Sequence, residues 1–248
     1  MPFTFSHPAI VLPFCRFGRG WFSLTGLVIG SMAPDFEKFL KMGQGNTYSH
    51  TLLGILWFNL PISILIALLF HEVVRNPLIE SLPNILRSRL SRYKRFDWVV
   101  HFNRHYKSVV VSIILGALTH LLWDAFTHKH SFVADMVPLL KQKHVYWGFR
   151  MPVYLVLQLI SSLVGLLYIL FFMYRLPVSE LPERRSFSPW LYWLLVLCVM
   201  ALAMAVRFWV EMTHVMDFIF TTIAAFLLGI VIASFWQAGK RIHLFRKA

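Results

Sequence analysis

Apolar positions in this chain come in long unbroken runs, not in the alternations or narrow stripes of soluble domains. Five runs are long enough to cross a bilayer core, which takes about 20 mostly apolar residues. They are Thr51–Phe70, Ser108–Thr127, Pro152–Tyr174, Pro189–Val210 and Met216–Trp236. A sixth, Trp21–Ala33, is too short and reads as a re-entrant or interfacial helix. Pro34, Pro77, Pro152, Pro177 and Pro189 punctuate the boundaries. No internal repeat stands out, which speaks against an inverted-repeat transporter. The expected fold is all-α: a polytopic helical membrane protein of about five transmembrane helices plus the short amino-terminal one, forming a single integral membrane domain over residues 1–248.

Composition narrows the class. Over 248 residues the chain is 58% apolar and 14% charged, against about 45–50% and 25% in soluble domains. A soluble globular enzyme, a disordered chain and a fibrous repeat are thereby excluded. The net charge of +13 would suit nucleic acid if it formed one patch. Instead the basic residues crowd into a few segments between apolar runs, as membrane topology demands, so no nucleic-acid partner is expected. Residues 71–107, 175–188 and the tail from Lys240 hold 15 Lys and Arg, against 8 in 1–50 and 128–151. That imbalance places the 71–107 loop and the carboxyl end in the cytoplasm and 1–50 outside. Within the loop, Leu82, Ile85, Leu86 and Leu90 share a helical face beside Arg87, Arg89 and Arg92, the pattern of an amphipathic helix on anionic lipid or of a solvated basic loop. Cys15 and Cys198 lack metal-ligand spacing and imply no disulfide framework. The first residues carry no basic n-region or A-x-A site, so no cleaved signal peptide is expected.

Chemistry gathers at the outer ends of the spans. In Thr119–His128, the residues His120, Asp124 and His128 recur every four positions and share one helix face. An imidazole and a carboxylate one turn apart can reach a common divalent cation. His50 opens the first span at the same end, and Asp35 and Glu37 follow the short apolar piece. His7, His130, His144, Asp135, His214, Glu211, Asp217 and Arg207 fall on that side too. Ionisable groups beside hydrocarbon are costly unless a function or a partner retains them. The alternative for each is a hydrogen-bonded interfacial residue, and Arg207 with Glu211 one turn on also fits a structural intramembrane pair. His71, His101 and His105 fall on the opposite side, among basic residues.

The blocks MPFTFSHPA, GSMAPDFE, SHTLLG and THLLWDAFTH resemble a bacterial membrane-protein family known as domain of unknown function 4184. More remotely the chain is similar to membrane-bound metal-dependent hydrolases and, behind them, to zinc-dependent phospholipase C and the S1/P1 nucleases. That likeness implies one metal held by Asp35, His50, His120 and Asp124, with His7 on a second metal and Asp124 bridging. His130 and His144 would stand for later histidines. Gly148 stands where the likeness would place the Glu of a closing His-x-x-x-Glu, and Met1-Pro2 replaces an amino-terminal tryptophan.

The function expected is therefore a membrane-embedded, metal-dependent hydrolase acting at the outer leaflet on a phospholipid or polyprenyl phosphoester. Its cofactor is a divalent metal, zinc foremost, with manganese or iron as alternatives. The metal set is His7, Asp35, His50, His120, Asp124 and His128; Glu37 serves as orienting or general-base carboxylate, and Arg207 neutralises substrate phosphate. The competing expectations are a proton- or metal-coupled carrier and a non-catalytic protein that binds membrane lipid.

Overall fold

The computed structural model describes residues 3–17, 21–129, 131–181, 188–210, 212 and 214–245. Among the described residues the chain is all-α apart from one two-stranded hairpin, and five helices are long and apolar enough to cross a membrane: Leu52–Ser81, the helix from Trp98, Val153–Tyr174, Pro189–Trp209 and Val215–Ala238. It is a polytopic helical membrane protein. The spans fall where the hydropathic runs place them, with two extensions. The first helix continues past Phe70 to Ser81, and the second is preceded by a helical segment from Trp98 that a non-helical residue, His105 (φ −128°), separates from the run expected from Ser108. The chain divides into two compact units, one of residues 1–35, 47–64 and 105–172, the other of 36–46, 65–104 and 173–248.

In the first unit, α1 (Pro8–Phe17) and α2 (Leu24–Met32) precede the spans. Nine residues give α2 a length of about 13 Å, too little to cross a bilayer. Ser23 caps it, its hydroxyl accepting from the Gly26 N–H. The helix lies against the second span by backbone contact. A Cβ on Gly30 would stand 2.3 Å from the Ile113 carbonyl oxygen, and one on Gly116 would stand 2.5 Å from that of Leu27. Small residues thus let two helices approach to a distance any side chain would prevent, which in a membrane is a principal source of helix association. A single 3₁₀ turn, Ala33–Asp35, follows α2 directly. After the second span, β1 (Lys143–Tyr146) and β2 (Phe149–Pro152) pair antiparallel through Trp147 and Gly148, both with positive φ as in a type I′ turn. The third span, Val153–Tyr174, follows at once.

The second unit holds the fourth and fifth spans as an antiparallel pair. Tyr192 lies opposite Ser234, with hydroxyls 3.1 Å apart, and a Cβ on Gly229 would meet the Val196 carbonyl oxygen at 2.9 Å. Val74 packs with them. The extension of the first helix to Ser81 is possible because its charges are answered. Arg75 donates to the Phe96 and Lys94 carbonyls, and Glu80 pairs with Arg87 at 2.9 Å and with Lys94. The expected amphipathic helix is only Asn84–Leu90, and its faces are reversed: Arg87 and Ser88 are buried and Ile85 is exposed. The buried Glu80 carboxylate draws Arg87 inward, which hydropathy alone does not disclose.

Candidate metal centre

Four separate stretches of the first unit deliver ionisable groups to one place. The 3₁₀ turn after α2 brings Asp35, the turn before the first span brings His50, the second span brings His120 and Asp124, and the turn before α1 brings His7. Asp35 and His120 are fully buried, His7 and Asp124 nearly so, and His50 keeps 19% of its side-chain surface.

The spacing among their reactive atoms is informative. His50 Nε2 and His120 Nε2 each lie 3.4 Å from Asp124 Oδ2, and 3.6 and 3.7 Å from Asp35 Oδ1. These separations exceed the roughly 2.9 Å of a good N–H···O bond. They match the edge of a tetrahedron around a cation: donors at 2.0–2.2 Å and the tetrahedral angle stand roughly 3.3–3.6 Å apart. Two overlapping sets of three donors lie within 4.8 Å of one another, His50, His120 and Asp124 in one and His7, Asp35 and His120 in the other. The fit is also electronic. His120 Nε2, both Asp124 carboxylate oxygens and both His7 ring nitrogens are buried with no hydrogen-bond partner among the described residues. Burying polar atoms unsatisfied costs about 1–3 kcal/mol each, and a shared cation removes that cost.

The outer atoms of the same side chains are fixed. His120 Nδ1–H donates to the Ser31 carbonyl at 2.7 Å, which leaves its Nε2 lone pair facing the cluster. The Thr4 hydroxyl donates to Asp35 Oδ2 at 2.6 Å, so Oδ1 is the oxygen turned to the histidines. His50 Nδ1 meets the Ser49 hydroxyl at 3.0 Å, and Asn59 Nδ2 donates to the Ser49 carbonyl at 2.8 Å, holding that turn. Asn59 sits at the end of a π-helical segment, Ile55–Asn59, a local widening that is frequent at functional sites. His7 stacks on His120 at 3.9 Å between ring centroids, and its Nε2 is 3.7 Å from Asp124 Oδ1. Burial, reinforced by His120, lowers its pKa to about 3 against the upward pull of Asp124 and Asp35. Its imidazole is therefore neutral at pH 7, the form a ligand requires.

The remaining candidates are placed as follows. His128 Nδ1 donates to the backbone carbonyl of Asp124 at 2.9 Å, closing the helix end, and the residue belongs to neither donor set. His144 lies on β1, Asp135 pairs with Lys141, and His130 and Glu211 lie outside the described residues. Glu37 and Arg207 belong to the second unit. Glu37 is buried and paired with Lys41 one turn on. Asp217 accepts from the His214 and Gln44 backbone N–H groups, a capping role. Thr4, Ser31 and Asn59 were not among the residues expected. Their types are too common to signal a site, and only contacts of 31 to 89 residues' separation, or the π-bulge, reveal them.

No curated protein and no solved structure matches the chain. A family model matches residues 1–235, nearly all the chain, and the protein accordingly belongs to the family described as Domain of unknown function (DUF4184).

Proposed function

We propose that the first unit binds a divalent cation, zinc foremost, through Asp35, His50, His120 and Asp124 with His7 as neighbouring donor, and that the protein is a membrane-embedded, metal-dependent phosphoester hydrolase. The observation that carries the reading is the four imidazole–carboxylate separations of 3.4–3.7 Å that join His50 and His120 to Asp35 and Asp124, drawn from distant parts of the chain, with outer atoms already committed to Thr4, Ser31 and Ser49. None of these side chains is a thiolate. Structural zinc sites favour cysteine, whereas mixed imidazole and carboxylate sets are the catalytic type and also accept manganese or iron. A cation bound there would supply Lewis acidity for activating water and polarising a phosphoryl oxygen. The chain's own part is orientation. Ser31 fixes the His120 tautomer and Thr4 fixes the Asp35 rotamer. His50, the most accessible member, marks where a substrate reaches the cluster.

Zinc, manganese and iron content of the purified protein, followed by hydrolysis of a phosphoester panel in detergent, tests the reading. Stoichiometric metal and turnover, both abolished by His120→Ala with Asp124→Ala, are expected. Wild-type metal content in that double variant would remove the ligand set. A carrier reading draws on Asn59 and Ser63, fully buried in the first span with Oδ1 and Oγ lacking hydrogen-bond partners among the described residues. Metal-dependent uptake into liposomes without hydrolysis would select it. The proposed orientation, with 71–107 cytoplasmic, is read by labelling Asn46→Cys and Arg95→Cys in a background lacking Cys15 and Cys198. Labelling of position 95 from outside inverts it.

A further inference from the structure

Beside the cluster the first unit carries an apolar groove of about 380 Å³, lined by Ile10, Leu122, Trp123, Phe126, Leu157 and Ser161, with Thr127 at one end. That volume falls within the range of ligand sites. Two of its lining residues, Ile10 and Trp123, adjoin the cluster. Ile10 stands one turn from His7, to whose carbonyl its N–H donates. Trp123 precedes Asp124, and its indole meets the His7 ring edge-on at 5.7 Å. Thr127 precedes His128 and donates its hydroxyl to the Trp123 carbonyl. The indole is held in place, because Trp123 Nε1–H donates to Ser161 Oγ on the third span at 3.1 Å. From Thr127 to Leu122 the groove runs about 7.5 Å along the second span, inward from its end.

We infer that this groove seats the first part of one hydrocarbon chain of a phosphate-bearing lipid, whose phosphate end lies at the His7–Asp124 cluster. The inference rests on the metal-site reading and names the substrate class for it. The occupant follows from position. The groove opens between two candidate spans, Leu122, Phe126 and Leu157 in it are exposed, and a site of that kind within a membrane meets chains rather than water. Chain contact alone discriminates little, because lipid tails are as apolar as the groove. Selection therefore comes from the polar end, one residue away at Asp124 and His7. The groove sets the depth of the chain and the cluster sets the headgroup.

The experiment uses the full chain in nanodiscs containing a phospholipid whose acyl chain carries a diazirine near its ester end. Photo-adducts are mapped by mass spectrometry, and the metal content of the same sample is measured. Adducts at Leu122, Phe126 and Leu157 should exceed those at Leu163, Leu167 and Phe171, exposed elsewhere on the third span, by about tenfold. Diacylglycerol bearing the same chain should lose that excess. Leu157→Trp, or Phe126→Trp if the first variant does not fold, should erase the groove adducts and leave the metal content unchanged. Equal labelling of groove and outward residues overturns the inference, as do equal labelling by diacylglycerol and protein–protein cross-links from a second copy seated there. Metal without groove enrichment removes the groove alone. Enrichment in a wild-type protein devoid of metal removes the metal centre and, with it, the stated reason for headgroup selection.

Discussion

Asp124 is the side chain on which the cluster turns, and its removal gives the sharpest prediction. Its two oxygens lie 3.4 Å from His50 and His120, 3.6 Å from His128 and 3.7 Å from His7, so one carboxylate faces four imidazoles. In Asp124→Ala the helix keeps a good helix former, but the proposed ligand set falls from four donors to three and loses one of its two negative charges. Four-donor zinc sites hold the ion with about 10–16 kcal/mol. One donor is then worth roughly 2.5–4 kcal/mol, and its loss should weaken binding roughly 60- to 900-fold. Titration against a series of chelators of graded affinity, with metal content read by mass spectrometry, measures that ratio. Size-exclusion behaviour in detergent confirms that the variant folds. A metal affinity within threefold of wild type in a folded Asp124→Ala protein refutes the tetrahedral argument outright.

Three further outcomes follow from the supporting contacts. Thr4→Val deletes the hydroxyl that donates to Asp35 Oδ2; outer-shell losses of this kind cost about 10- to 100-fold in metal affinity, and chelator competition should place it below Asp124→Ala in severity. Gly30→Ala places a methyl 2.3 Å from the Ile113 carbonyl oxygen, so α2 must move off the second span at about 1–3 kcal/mol. Because Ser31 moves with it, both melting temperature and metal content should drop, whereas Gly148→Ala should leave metal content unchanged. In the metal-free protein the His7 imidazole stays neutral down to about pH 3, while the unfolded chain takes up that proton near pH 6.5. The unfolded state then holds more protons, so stability is full above pH 6.5 and falls by up to about 1.4 kcal/mol per unit as the pH drops toward 3. Thermal unfolding of the apo protein across that range should show the slope, and His7→Phe should flatten it. An unchanged slope in His7→Phe assigns the proton to another group.

Hydropathy located all five spans, because the bilayer imposes a local rule on each about-20-residue window. It stopped the first span at Phe70 because His71, Glu72, Arg75 and Glu80 look polar in sequence. In the fold Arg75 is answered by the Phe96 and Lys94 carbonyls and Glu80 by Arg87, pairings that a hydropathy average does not register. The pair His120 and Asp124 was legible for the opposite reason: a helix guarantees that residues four apart share a face. Asp35 and His50 came from co-location at one end of the spans and from the resemblance, and the fold brings both to that pair. One residue after Asp35 the chain enters a new helix, Phe36–Lys41, in which Glu37 pairs with Lys41 one turn on. The hairpin at Trp147-Gly148 was missed as well, although a Gly second in a two-residue turn is a signal that a loop reading overlooks.

The close crossing of α2 on the second span bears on where this chain tolerates changes in length. Gly30 is locked against Ile113, and Asp35 arrives only five residues later through one tight turn with no slack. Inserting a single residue between them would rotate everything downstream by about 100° and carry the Asp35 carboxylate off His50 and His120. The stretch 31–34 is thus a spacer of fixed count, and homologues or engineered versions that keep the cluster should vary in length after Lys41 but never within it.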